Sequence, residues 1–215
     1  TSFLLANIVK LTDGCWLPLG VGIFVLIVMT TWKRGRTLLS RTMLQKSLPL
    51  DDFIRLIQEK SPLRVKGTAM VLTANRDIAP PVLLHHLKHN QVLHENILLL
   101  TVLIKHSSFV SAEERLEIHR MDEGIIRVVA KYGFVQRPNV SEIIRLLKQS
   151  NLPIERQSTS FYLGRETLLS SGPSKELFKW QKELFIFLSK NAQSAISSFR
   201  IPPDQVVEIG LQLEI

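Results

Sequence analysis

Between Asp13 and Lys33 the chain runs for nineteen residues, GCWLPLGVGIFVLIVMTTW, without one charged side chain. A helix needs about 20 predominantly apolar residues to cross the hydrocarbon core of a bilayer. Buried helices of soluble proteins seldom go so long without a charge on one face. The stretch therefore reads as a membrane-spanning helix over residues 15–32. Trp16 and Trp32 stand near its two ends, roughly 24 Å apart at a helical rise of about 1.5 Å per residue, a spacing suited to indoles anchored at opposite interfaces. Pro18, Gly20 and Gly22 are tolerated in such a helix and permit close packing against a neighbour.

Directly after it comes KRGRTLLSRTMLQK, with Lys33, Arg34, Arg36, Arg41 and Lys46 and no acid. The positive-inside rule places this foot, and the connector over 33–49, on the cytoplasmic side. Lys33, Arg34 and Arg36 join the two tryptophans as the expected anchoring residues, and attraction to anionic headgroups is compatible with the same charges. A secretory signal peptide is excluded by order, because its positive charge precedes the apolar core. Upstream, FLLANIVKL is apolar but too short to span; residues 1–12 read as the end of an earlier membrane helix, joined through Thr12, Asp13 and Gly14. Thr1 in place of Met suggests a fragment or a trimmed product, and the earlier helix end suggests a multi-pass membrane protein.

Charge distribution supports this division. The chain has 215 residues and a net charge of +8, of which residues 1–46 hold six basic groups and one acid. The excess sits beside the apolar segment and is not spread over a binding face, and neither aromatic interleaving nor a known motif favours nucleic acid. Cys15 is the only cysteine, so there is no internal disulfide and no cysteine-based metal cluster.

Residues 50–215 read as an α/β layered domain with a mixed sheet. LDDFIRLIQ (50–58) is a short helix with Asp51 or Asp52 as N-cap. TAMVLTA (68–74) is a strand, and Pro80 and Pro81 open a helix carrying Leu83, Leu84 and Leu87. NILLLTVLI (96–104) has the continuous apolar pattern of a strand buried on both faces. Asp122, Glu123 and Gly124 between ERLEIHRM and IIRVVAKYGF read as a hairpin turn. SEIIRLLKQS (141–150) is a helix capped by Ser141, and TSFYLGRETLL (159–169) a strand. Residues 173–192 are a long amphipathic helix with Leu177, Trp180, Leu184 and Leu188 on one face, and 205–215 a terminal strand.

In this order the stretches ANIVKLTDGCW, MTTWKRGR, VKGTAMVLT, PPVLLHHLKHNQVLHENILLLTV, RVVAKYGF, FYLGRETL, LFIFLSKNAQSA and FRIPPDQVVEIGLQLEI resemble the Kup/HAK/KT potassium uptake permeases along nearly the whole chain. The resemblance implies final membrane segments over 1–46 and a cytoplasmic C-terminal domain over 47–215. It implies secondary active uptake of K⁺, usually coupled to H⁺, with the ion sites on upstream helices that would be this segment's partners. A homodimer is compatible with it. The family turn usually reads Gly-Gly-Trp where this chain has Gly14, Cys15 and Trp16.

Four histidines stand together: His85, His86, His89 and His94. His85 and His89, one helical turn apart, are the candidate pH-sensing pair. A metal is not expected, because no acidic or thiol ligand sits at a helpful spacing. Asn75 and Arg76, after a strand, and Arg165 are weak ligand candidates; an anionic nucleotide is the class they would suit. Neither phosphate-cradle glycine motif is present, no cofactor is implied, and no catalytic constellation is legible, so the chain is not expected to be an enzyme.

Overall fold

The computed structural model describes residues 16–45, 47–150, 152, 154, 158–172, 176–192, 199 and 201–214. Residues 1–12, read as the end of an earlier span, lie outside the described residues. The first element, α1, is one continuous helix, Trp16–Gln45. It carries the apolar stretch and then runs on through the basic foot, so the first thirteen residues of the expected connector are helix.

The chain divides into two compact units. The larger comprises residues 43–167 and 193–212. It holds α2 (Leu50–Lys60), β1 (Leu63–Leu72), α3 (Pro81–Asn90), β2 (Val92–Lys105), β3 (Leu116–Arg120), β4 (Ile125–Gly133), α4 (Val140–Gln149), most of β5 (Thr159–Leu169) and most of β6 (Val206–Glu214). The six strands lie in the order β3-β4-β2-β1-β5-β6. β1 pairs in parallel with β2 and with β5, and β2 in parallel with β4, while β3 runs antiparallel to β4. This is the expected mixed sheet.

The period of two along each strand sorts the core onto two faces. Ala69, Val71, Ile97, Leu99, Ile125 and Tyr162 face α2 and α3, which contribute Phe53, Ile57, Leu83 and Leu87. Met70, Leu98, Leu100, Val128, Ala130 and Phe161 face α4, which contributes Val140, Ile143 and Leu147. Residues 97–100 of β2 are buried throughout, as a strand covered on both faces must be.

Several boundaries differ from the sequence reading for local reasons. β1 starts at Leu63 and β2 at Val92, because parallel pairing extends both strands back over LRVKG and VLHE, where charged residues and a glycine interrupt the apolar run. α2 starts at Leu50 behind Pro49, with no side-chain cap, so Asp51 and Asp52 sit in the first turn where they complement the helix dipole. Asn139, not Ser141, caps α4: its side chain accepts a hydrogen bond from the Ser141 backbone N–H.

The β3–β4 hairpin closes at Glu123 and Gly124, with φ of 60° and 69°. Positive φ at both central residues is the signature of the turn whose twist matches the flanking strands. Glu117 on β3 supports the register from the side, accepting from Lys131 and His119, each at 2.8 Å. Those two hydrogen bonds hold its carboxyl at about 2. A side chain at Gly124 would collide with the Glu95 carbonyl. Gly124→Ala is therefore expected to lower the stability of this unit by about 2 kcal/mol through strain and displacement of the turn. The urea midpoint measures it, and a change within about 0.5 kcal/mol would show that the turn shifts freely.

The smaller unit contains residues 1–42, 168–192 and 213–215. Its second helix, α5, runs Lys179–Lys190 and is shorter than expected. Leu177 is buried but precedes the helix, and Trp180 is 51% exposed, so it does not share a buried face with Leu184 and Leu188. Phe185 takes that place with no exposure at all. It packs on Trp32 at 5.5 Å between ring centroids and lies so close to Gly35 of α1 that any larger residue there would overlap its ring.

Candidate functional site

Two regions concentrate polar function. The first is the foot of α1. Lys33, Arg34 and Arg36 are exposed and make no ion pair among the described residues. Arg41, one helical turn further on, pairs with Glu176 at 3.2 Å. Two shallow grooves of about 510 Å³ each lie along this helix, one lined by Trp32, Lys33, Arg36, Thr37, Ser40 and Arg41, the other including Thr30, Arg34 and Glu176. The hydroxyls of Thr30 and Thr37 donate to the backbone carbonyls of Leu26 and Lys33, at 2.7 and 3.0 Å, and so cover helix carbonyls in the apolar stretch and just beyond it. Trp16 is exposed, whereas Trp32 is half-buried by its contact with Phe185. α1 thus presents an apolar cylinder followed by Lys33, Arg34 and Arg36, which have no ion-pair partner among the described residues.

The second region is the histidine cluster. His85 and His89 stand together on the exposed side of α3, with ring centroids 5.6 Å apart. His86, between them, turns inward and is only 8% exposed. Its ring lies 5.0 Å from Tyr162 of β5 and 6.2 Å from His94 of β2, and His94 in turn lies 5.7 Å from Tyr162. Burial lowers the pKa of both histidines, and the neighbouring charge of His94 lowers that of His86 further. The sequence reading passed over this pair. The signal was available: Val82, Leu83, His86 and Leu87 recur at helical spacing, which puts His86 on the apolar face and its two neighbours off it. Among the described residues no three His, Cys, Asp or Glu side chains converge as metal ligands would.

The ligand candidates are held by local partners. Asn75 closes a turn, with its side-chain oxygen accepting from the Asp77 N–H at 3.0 Å and its carbonyl accepting from the Thr73 hydroxyl at 2.8 Å. Arg76 lies 3.8 Å from the Asp77 carboxylate, which also takes Arg127 at 3.6 Å. Arg165, on β5, pairs with Glu208 of β6 at 3.5 Å. The structure therefore brings Asn75 and Arg76 into one turn and engages Arg165 in a pair along the β5–β6 edge.

An apolar helix of bilayer-spanning length that runs on through basic residues, followed in sequence by a doubly covered α/β sheet, defines the class of membrane-integral proteins with an α/β domain. Residues 66–215 match the K⁺ potassium transporter C-terminal domain, and residues 1–37 the K⁺ potassium transporter integral membrane domain. The chain belongs to the K⁺ potassium transporter family. Similar proteins include the probable potassium transport system protein Kup of Myxococcus xanthus, 43% identical over 100% of this chain and 33% of its own length. Probable potassium transport system protein Kup 1 of Geobacter sulfurreducens is likewise 43% identical, over 100% of this chain and 34% of its own length. The chain spans about a third of the length of these curated relatives. No solved structure matches it.

Proposed function

We propose that this chain serves as the C-terminal portion of a secondary active K⁺ uptake transporter, a K⁺/H⁺ symporter, with its α/β domain on the cytoplasmic side supporting assembly or gating. One observation carries the reading: likeness to potassium transport proteins runs through both the apolar helix and the sheet domain without a break. The exposed Lys33, Arg34 and Arg36, without an ion pair among the described residues, support a cytoplasmic foot. Assembly would involve upstream helices of the same permease or a second copy of the domain. Gating requires that the domain contact inward-open and outward-open states unequally, since equal contact biases nothing. Deleting residues 47–215 from the full-length transporter is expected to lower K⁺ uptake about tenfold in cells lacking other uptake systems, within the usual range of coupling between sites. Unchanged uptake at equal membrane abundance would remove the gating and assembly role. Uptake that ignores an imposed pH gradient would remove the proton coupling.

An alternative reading is ligand sensing, by an adenine nucleotide. The turn of Asn75 and Arg76 follows β1, whose parallel neighbours β2 and β5 lie on opposite sides, and loops at such switch points bind ligands in α/β sheets. Calorimetry of the chain with adenine nucleotides would give saturable heat lost in Arg76→Ala; no heat leaves the structural role. Proton sensing at the exposed His85 and His89 remains a proposal.

A further inference from the structure

His86 is the one titratable group on the buried face of α3. The Nδ2 amide of Asn90, one turn along the helix, lies 2.9 Å from its Nδ1. An amide nitrogen only donates, so Nδ1 accepts, and the proton of the neutral ring sits on Nε2. Among the described residues neither that Nε2 nor Nδ1 of His94, both buried, has a hydrogen-bond partner. A second proton on His86 would have to enter at Nδ1, directly against the N–H₂ of Asn90. Two donors would then face each other until the amide turns over.

Among the described residues the surroundings offer the resulting cation no carboxylate partner. From β5 the cluster meets Tyr162, whose hydroxyl burial keeps protonated. From the β1 side comes Arg64, itself a cation, donating to the His94 carbonyl at 3.1 Å and pairing with Glu123 at 3.0 Å. Lys88, His85 and His89 on α3 are exposed, as are Lys66 on β1 and Glu95 on β2. The charged residues of α2, which covers the same sheet face, are exposed as well. Among the described residues no carboxylate hydrogen-bonds to either ring.

We propose that His86, His94 and Tyr162 form a proton-responsive joint between α3 and the sheet, closed while both imidazoles are neutral and loosened when either gains a proton. Free histidine titrates near 6.5, and both rings titrate lower when packed. The loosened state therefore binds more protons just below pH 6.5. The closed seam is fully stabilised above that value and weakens as pH falls through it. The joint goes beyond the transport reading and does not depend on it.

The test is hydrogen exchange of the whole chain in lipid nanodiscs at pH 7.5 and 5.5, corrected for intrinsic rates. Exchange over residues 81–90 is expected to rise roughly fivefold or more at the lower pH. In His86→Gln/His94→Gln it is expected to stay level, and in His85→Gln/His89→Gln to follow the parent chain. Level exchange in the parent, or an unchanged rise in His86→Gln/His94→Gln, would overturn the joint. Should that variant fail to fold, ¹⁵N imidazole spectra of the parent decide. Titration of both rings accompanied by shifts of the α3 amides supports the joint, and titration without them overturns it.

Discussion

Truncating Arg115 to alanine is expected to lower the stability of the larger unit by about 3–5 kcal/mol, the usual loss when one partner of a buried ion pair is removed. The Arg115 side chain is 9% exposed, and its Nη1 pairs with the Glu142 carboxylate in the first turn of α4. Its Nη2 donates to the Val110 carbonyl at 2.8 Å, and the guanidinium lies 5.0 Å over the Tyr132 ring. Gln136 completes the arrangement: its side-chain oxygen accepts from the N–H groups of Val110 and Gly133, at 3.0 and 2.8 Å. One guanidinium thus fastens the loop before β3, the end of β4 and the start of α4. Its removal leaves Glu142 partly buried with no cation and the Val110 carbonyl with Gln136 alone. Arg115→Met/Glu142→Leu is expected to recover much of the loss, because apolar groups of similar volume leave no unpaired charge. The urea midpoints of the single and double variants form a thermodynamic cycle. A loss below about 1 kcal/mol for Arg115→Ala would mean that the pair is solvent-screened, as surface pairs are.

That cluster shows where sequence reasoning stops. Glu142 is 27 residues from Arg115, and nothing in the spacing of an arginine in a loop announces a carboxylate on a later helix. Elements whose cause is local were legible. The hairpin at Asp122, Glu123 and Gly124 follows from a glycine able to take positive φ, and the buried run over 97–100 from the need to cover a parallel strand twice. The mixed sheet and the apolar helix ahead of it followed from the same patterns. Elements whose cause is a distant neighbour were not legible. β1 extends back to Leu63 only because β2 lies alongside from Val92. Trp180 looked like a core residue by periodicity, yet Phe185 is what Trp32 and Gly35 require at that contact. The helix that carries the histidines was legible, but the i, i+4 spacing drew attention to His85 and His89. The apolar period had already turned His86 inward, and His94 joins it only through the fold. Asn75 and Arg76 fall in a loop as expected, and Asp77, two residues after Asn75, engages the arginine there.

Placing one carboxylate in the middle of the apolar stretch is expected to have the largest effect of any single substitution in α1. Val25 stands midway between Trp16 and Trp32 and is 47% exposed, so no packed core of this chain shelters it. At the centre of a membrane helix, aspartate costs about 2.5–3.5 kcal/mol for insertion, and loss of the valine removes a further few tenths. Thr30 and Thr37, on either side of Trp32, already rely on backbone carbonyls to satisfy their hydroxyls. Val25→Asp should therefore shift the chain from the carbonate-resistant membrane fraction to the soluble or aggregated fraction by at least about tenfold. Val25→Leu should leave it in place. The larger unit supplies an internal control. Its two-faced core contains no residue of the apolar stretch, so its protease-resistant fragment should persist in Val25→Asp even as membrane retention is lost. Retention of Val25→Asp in the membrane at the parent level would mean that α1 is held there by something other than its own apolar surface. Loss of both retention and the resistant fragment would mean that the two units do not fold independently.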